Sequence, residues 1–134
     1  MLDLDSLVRP NVKSLVPYSC ARDEFKGKEG VFLDANESPY GYLNRYPDPY
    51  QKDLKIAISK LKAIPTEKIF LGNGSDEIID LTFRIFCNPG ADKALTFSPS
   101  YGMYQVSASV NDVSIIKIPL DKDFQIDFEN VKKH

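Results

Sequence analysis

A glycine turn set between an apolar run and an apolar helix pattern constrains this chain most. Lys68-Ile69-Phe70-Leu71 is a short apolar run suited to a buried strand, and Gly72-Asn73-Gly74 turns the chain. From Ser75 onward Ile78, Ile79, Leu81, Phe83, Ile85 and Phe86 leave almost no polar face, so a helix over 75–87 is expected to be buried on most sides. Asn88-Pro89-Gly90 stops it. A strand is expected at Lys93–Phe97, then a helix at Tyr101–Val110 with Met103, Val106 and Val110 inward. Val113–Ile118 reads as a further strand, closed by Pro119. Strand, helix, strand, helix, strand at these spacings is a βαβ pattern, hence an α/β fold with a mostly parallel sheet covered by helices.

The turn carries its own chemistry. Gly72 and Gly74 permit positive φ and a close approach of backbone to ligand. Ser75 suits an N-cap, and Asp76 and Glu77 suit the positive end of a helix. Unpaired N–H groups at such an end bind phosphate. The same glycines serve equally well as a plain strand-to-helix turn, so the residues alone leave both readings open. Two named phosphate motifs fail: a dinucleotide-type G-x-G-x-x-G needs glycine where Glu77 stands, and no Gly-Lys-Ser/Thr follows the turn. Downstream, Ser98-Pro99-Ser100-Tyr101-Gly102-Met103-Tyr104 offers a flat ring that can cover a planar cofactor. Tyr101 also reads as a packing aromatic at a helix start.

Composition removes other function classes. With 134 residues, 43% hydrophobic and 27% charged, the chain suits one ordinary globular core. A net charge of −2 with mixed signs gives no nucleic-acid footprint. No apolar run approaches the roughly 18 residues of a membrane helix, and the N-terminus lacks the basic start of a signal peptide. Cys20 and Cys87 sit in unrelated contexts, so a cytoplasmic location is expected. The only histidine is His134, which argues against a Ser-His-Asp or Cys-His site and against His-ligated zinc, and no metal is expected.

Elsewhere, residues 1–30 read as irregular, with Pro10 and Pro17 as breakers, and Val31-Phe32-Leu33 as a short strand. Residues 39–49 read as loop. Pro49 opens an amphipathic helix on which Leu54, Ile58 and Leu61 form the stripe, and Pro65 ends it. Asp127-Phe128-Glu129-Asn130-Val131 looks like a helix start. Three strands belong to the βαβ part, fewer than the five or six usual in a sheet, so the chain reads as the front piece of a larger enzyme.

Four segments in order carry a resemblance: Leu33-Asp34-Ala35-Asn36-Glu37-Ser38-Pro39; Leu43-Asn44-Arg45-Tyr46-Pro47-Asp48-Pro49; Gly72-Asn73-Gly74-Ser75-Asp76-Glu77; and Phe86-Cys87-Asn88-Pro89-Gly90 through Tyr101-Gly102-Met103-Tyr104. Together they resemble the N-terminal part of the fold type I pyridoxal-phosphate aminotransferases, and the Tyr-Gly-Met-Tyr block is most similar to the histidinol-phosphate branch. The resemblance implies a three-layer large domain, here partial, preceded by an irregular N-terminal arm. Residues 1–48 would be the arm and a small-domain and cofactor-site loop segment, and 49–134 the first part of the cofactor-binding large domain.

It implies further that Gly74, Ser75 and Asp76 hold the phosphate of pyridoxal 5'-phosphate, and that Tyr101 stacks on its ring. Tyr46 would reach the neighbouring subunit's cofactor phosphate in a homodimer, and Asn36 and Tyr18 would lie near the substrate. The small-molecule substrates implied are L-histidinol phosphate and a 2-oxo acid such as 2-oxoglutarate, in histidine biosynthesis. Asn36 equally suits an Asx turn, and Tyr46 an ordinary loop position. The family's Schiff-base lysine is expected beyond residue 134. Ser59-Lys60 lies on the charged face of a helix and is not that site. Two alternatives stay open: a threonine-phosphate decarboxylase-like enzyme, and a non-catalytic fragment or binding domain.

Overall fold

The computed structural model describes residues 3–134 apart from Lys26 and Lys28, and leaves the side chains of Arg22 and Asp23 undescribed. The chain forms two compact units, one of residues 1–15 with 72–134 and one of residues 16–71.

The first unit is built on two strands, β1 (Lys93–Ser98) and β2 (Ser114–Pro119), paired in parallel with Lys93 opposite Ser114 and Ser98 opposite Pro119. The helix α6 (Met103–Val110) makes the crossover between them. It packs against α5 (Ser75–Phe86), and Phe83, Ala108 and Val113 form the core, with Ile79, Cys87, Ala94 and Ile115 around them. Ile118 is buried on the opposite sheet face, a burial of about 1.5–3 kcal/mol. The βαβ reading therefore holds for β1, α6 and β2, each within two residues of its expected bounds.

Two expectations about faces fail. Helix α5 is not buried on most sides: only Phe83 is fully buried, and Phe86 is 38% exposed. On α6 Met103 is half-buried, in line with its expected inward place, but the buried residues are Ser107 and Ala108, while Val106 and Val110 face out. Small side chains allow α6 to close on its neighbours, which two valines would hold away.

The N-terminal segment of this unit has two single-turn helices, α1 (Leu4–Leu7) and α2 (Pro10–Lys13). Arg9, between them, donates its N–H to the carbonyl of Ile85 at 3.0 Å and its Nη1 to the carbonyl of Arg84 at 2.8 Å. It thus serves two of the carbonyls that the C-terminal end of α5 leaves without helical partners, where positive charge is favoured. Asp80 ties α5 to the end of α6, accepting from Arg84 Nε at 2.6 Å and from Asn111 Nδ2 at 2.7 Å. A final single turn, α7 (Phe128–Val131), is capped by the Asp127 carboxylate.

The second unit holds α3 (Ala21–Glu24), α4 (Lys52–Lys62) and a 3₁₀ turn at Thr66–Lys68. Asp48 accepts the N–H groups of Tyr50 and Lys52 at the start of α4. Of the expected stripe only Ile58 is half-buried; Leu54 and Leu61 are exposed. Neither Lys68–Leu71 nor Val31–Leu33 forms a strand. Ile69 has extended backbone angles, φ −111° and ψ 119°, but no strand among the described residues pairs with it, and an unpaired strand leaves its backbone groups to water.

Candidate functional site

The start of α5 is shaped by its own turn. Gly74 has φ +81°, a conformation side chains rarely adopt, and its N–H closes the turn on the Gly72 carbonyl at 3.0 Å. A Cβ on Gly72 would stand 2.7 Å from Ile78 Cδ1, so helix and turn approach closely there. Glu77 reaches back to accept the N–H of Asn73. The helix cap is Gly74 rather than Ser75, which is the first helical residue and makes no capping bond. With Gly74 and Asn73 served, the N–H groups of Ser75 and Asp76 have no protein acceptor among the described residues.

Tyr101 is brought to this turn by a hydrogen bond its sequence position does not suggest. Its hydroxyl donates to Asp76 Oδ1 at 3.1 Å across 25 residues. The ring is half-exposed and meets Tyr104 edge to face, with centroids 6.1 Å apart. The hydrogen bond to the Asp76 carboxylate, then a small loss of hydration, pushes the phenol above the usual tyrosine range, because losing the proton loses the bond. Two free amides at a helix N-terminus beside an exposed aromatic face fit a phosphorylated planar group.

A depression of about 90 Å³ adjoins Tyr101, lined by Thr96, Ser98, Tyr104, Gln105 and Lys117 among others. It is too small to enclose a cofactor, since such sites run to about 300–1,000 Å³. Thr96 and Lys117 face each other across β1 and β2. No sequence pattern singles either out, because only the strand pairing puts them together.

The remaining expected residues lie in the second unit. Tyr46 is exposed, and its backbone N–H donates to Glu37 Oε1 at 2.8 Å. Asn36 is exposed inside a turn closed by the Glu37 N–H on the Ala35 carbonyl, and Tyr18 is almost fully exposed. Among the described residues no cluster of three or more His, Cys, Asp or Glu could hold a metal, and no helix is long and apolar enough to cross a membrane.

Residues 29–134 match the family model for aminotransferase class I and II. The chain belongs to the class I and II aminotransferases. It is 56% identical over 133 residues to the histidinol-phosphate aminotransferase of Cytophaga hutchinsonii, covering 96% of this chain and 38% of that protein. To the enzyme of the same name from Parabacteroides distasonis it is 58% identical over 132 residues, with 98% and 38% covered. To that of Schizosaccharomyces pombe it is 45% identical over 147 residues, with 98% and 38% covered. This aminotransferase chain thus spans 38% of the length of these curated relatives. A solved structure from Burkholderia pseudomallei, described as an aminotransferase, superposes with a TM-score of 0.56 at 19% identity, covering 73% of this chain and 34% of that one. The fold is that of part of an aminotransferase.

Proposed function

We propose that this chain supplies the N-terminal part of a pyridoxal-phosphate-dependent transaminase that moves an amino group between L-histidinol phosphate and a 2-oxo acid such as 2-oxoglutarate, in histidine biosynthesis. The observation that carries it is identity of 56–58% to histidinol-phosphate aminotransferases along nearly the whole chain. When bound, pyridoxal phosphate supplies the electron sink, and the protein supplies binding and orientation.

In this reading the N–H groups of Ser75 and Asp76 hold the cofactor phosphate, and Gly74 gives the turn its shape. Tyr101 lies on the ring, steadied by its bond to Asp76. Tyr46 meets the phosphate of the neighbouring subunit in a homodimer, and Asn36 and Tyr18 face the substrate. Residues 1–48 form the arm and cofactor-site loop segment, residues 49–134 begin the large domain, and the enzyme works in the cytoplasm. The covalent lysine belongs to sequence beyond residue 134. What supports the phosphate seat is the pair of amides without protein acceptors among the described residues. A helix N-terminus contributes about 0.3–2 kcal/mol per charge, against about 8 kcal/mol for micromolar affinity, so the seat needs the ring contact and the neighbouring subunit.

The test is to give the full-length enzyme histidinol phosphate and 2-oxoglutarate and to follow glutamate. Glutamate formed at a saturable rate is the expected result. Release of CO₂ from threonine phosphate with no glutamate would replace this reading by a decarboxylase.

A further inference from the structure

We propose that Glu37 is the positioning residue that sets Tyr46; this rests on Tyr46 being a cofactor-phosphate contact. The Glu37 side chain is 4% exposed, although most of its neighbours lie open to solvent. A buried carboxylate is costly unless hydrogen-bonded, and both of its oxygens are used. Oε2 accepts from Arg45 Nη1 at 2.6 Å, and Oε1 accepts from the Tyr46 N–H at 2.8 Å. Bonds to an ionised acceptor are the stronger kind.

The partners are eight and nine residues away, a separation that no helix or tight turn imposes. Asn44 Nδ2 adds a parallel tie to the Ser38 carbonyl at 2.6 Å. The loop is therefore closed by side chains at its root. Its result is a Tyr46 whose backbone N–H is held while the residue stays 60% exposed. A residue held at the backbone and free at the ring suits a contact outside its own unit. In this proposal Glu37 acts through Tyr46, by the bond its Oε1 accepts from the Tyr46 N–H.

The experiment uses the full-length holoenzyme with Glu37→Gln, Glu37→Ala, Tyr46→Phe and the Glu37→Ala/Tyr46→Phe pair. Affinities are measured for pyridoxal phosphate and for pyridoxal, which lacks the phosphate. Glu37→Ala should weaken pyridoxal phosphate by about tenfold or more, the loss of one hydrogen bond to a charged group. Glu37→Gln should lose less, because its amide oxygen still accepts from the Tyr46 N–H. Pyridoxal affinity should not change, and Glu37→Ala should add nothing once Tyr46 is Phe.

Equal losses for both ligands, or in both Tyr46 backgrounds, would mean that Glu37 only supports the fold and would overturn the proposal. Hydrogen exchange at the Tyr46 N–H reads the positioning without the cofactor. It should speed up in Glu37→Ala, and an unchanged rate overturns the role outright. Tyr46→Phe with unaltered pyridoxal phosphate affinity would instead overturn the Tyr46 contact itself, whatever Glu37 does to exchange. Glu37→Gln keeps the test open if Glu37→Ala fails to fold.

Discussion

Tyr101 and Asp76 show how one hydrogen bond links two positions that the sequence keeps apart. The raised phenol keeps its proton, and so its bond, through neutral pH. Its contribution to stability is present below the ordinary tyrosine range near 10 and is lost as pH rises through the raised value. An ultraviolet titration should find one tyrosine ionising late, and Asp76→Asn should return it toward the ordinary value. In the full-length enzyme Tyr101→Phe should keep more cofactor than Tyr101→Ala, since it retains the ring face; equal retention by both variants and wild type would remove Tyr101 from the site. Asp80 behaves in the opposite sense. The Arg84 hydrogen bond, then that of Asn111, holds its carboxyl below the usual range. That contribution is present above the ordinary carboxylate range and fades as pH falls through the lowered value. Asp80→Asn should cost about 1 kcal/mol in denaturant unfolding at neutral pH. The type and order of Gly72, Gly74, Ser75 and Tyr101 were legible in the sequence. The Tyr101–Asp76 bond was not, because no local pattern spans 25 residues.

Among the elements, extents were easier to read than faces. The apolar run from Ile78 and the stop at Asn88-Pro89-Gly90 bracket α5 to within a residue. Hydrophobicity alone points to the wrong face of α6, because it ranks Val106 and Val110 above Ser107 and Ala108, whereas close packing selects by size. Ala108, with no exposed surface, should therefore tolerate enlargement poorly: Ala108→Leu should cost about 1–3 kcal/mol, and Val110→Ala no more than about 0.5 kcal/mol. A reversed ranking in chemical denaturation would show that α6 does not seat as described. Ala63, which ends α4 at φ +52°, occupies a position that glycine fills without strain. Ala63→Gly should raise stability by up to about 1 kcal/mol, read the same way. The apolar residues at 68–71 suggest a strand, but a strand is a property of a pair, and sequence periodicity says nothing of the partner.

At the scale of the molecule, apolar residues lie open on both units, Leu61 and Phe70 on one and Val110 and Phe124 on the other, each more than 60% exposed. Such surface promotes association, so residues 1–134 expressed alone should bind a hydrophobic dye and self-associate as concentration rises, which light scattering checks. The same piece should show no glutamate-dependent turnover with histidinol phosphate. A covalent lysine needs a lowered pKa, which burial supplies, and no described lysine is buried. Saturable turnover by the piece would show that its site is complete. The two-unit division was not legible in the sequence, because residues 1–15 join 72–134 through Arg9, whose partners lie in a helix far along the chain.

That attachment has a consequence for synthesis. Arg9 leaves the ribosome 75 residues before Arg84 does. At about 5–20 residues per second the arm waits roughly 4–15 seconds for the helix end that receives it. During that interval the Arg9 N–H and guanidinium travel without the Ile85 and Arg84 carbonyls they are to meet. The arm thus settles only after α5 has been made, and a nascent chain caught before α5 emerges should expose that arm to any protease added to it.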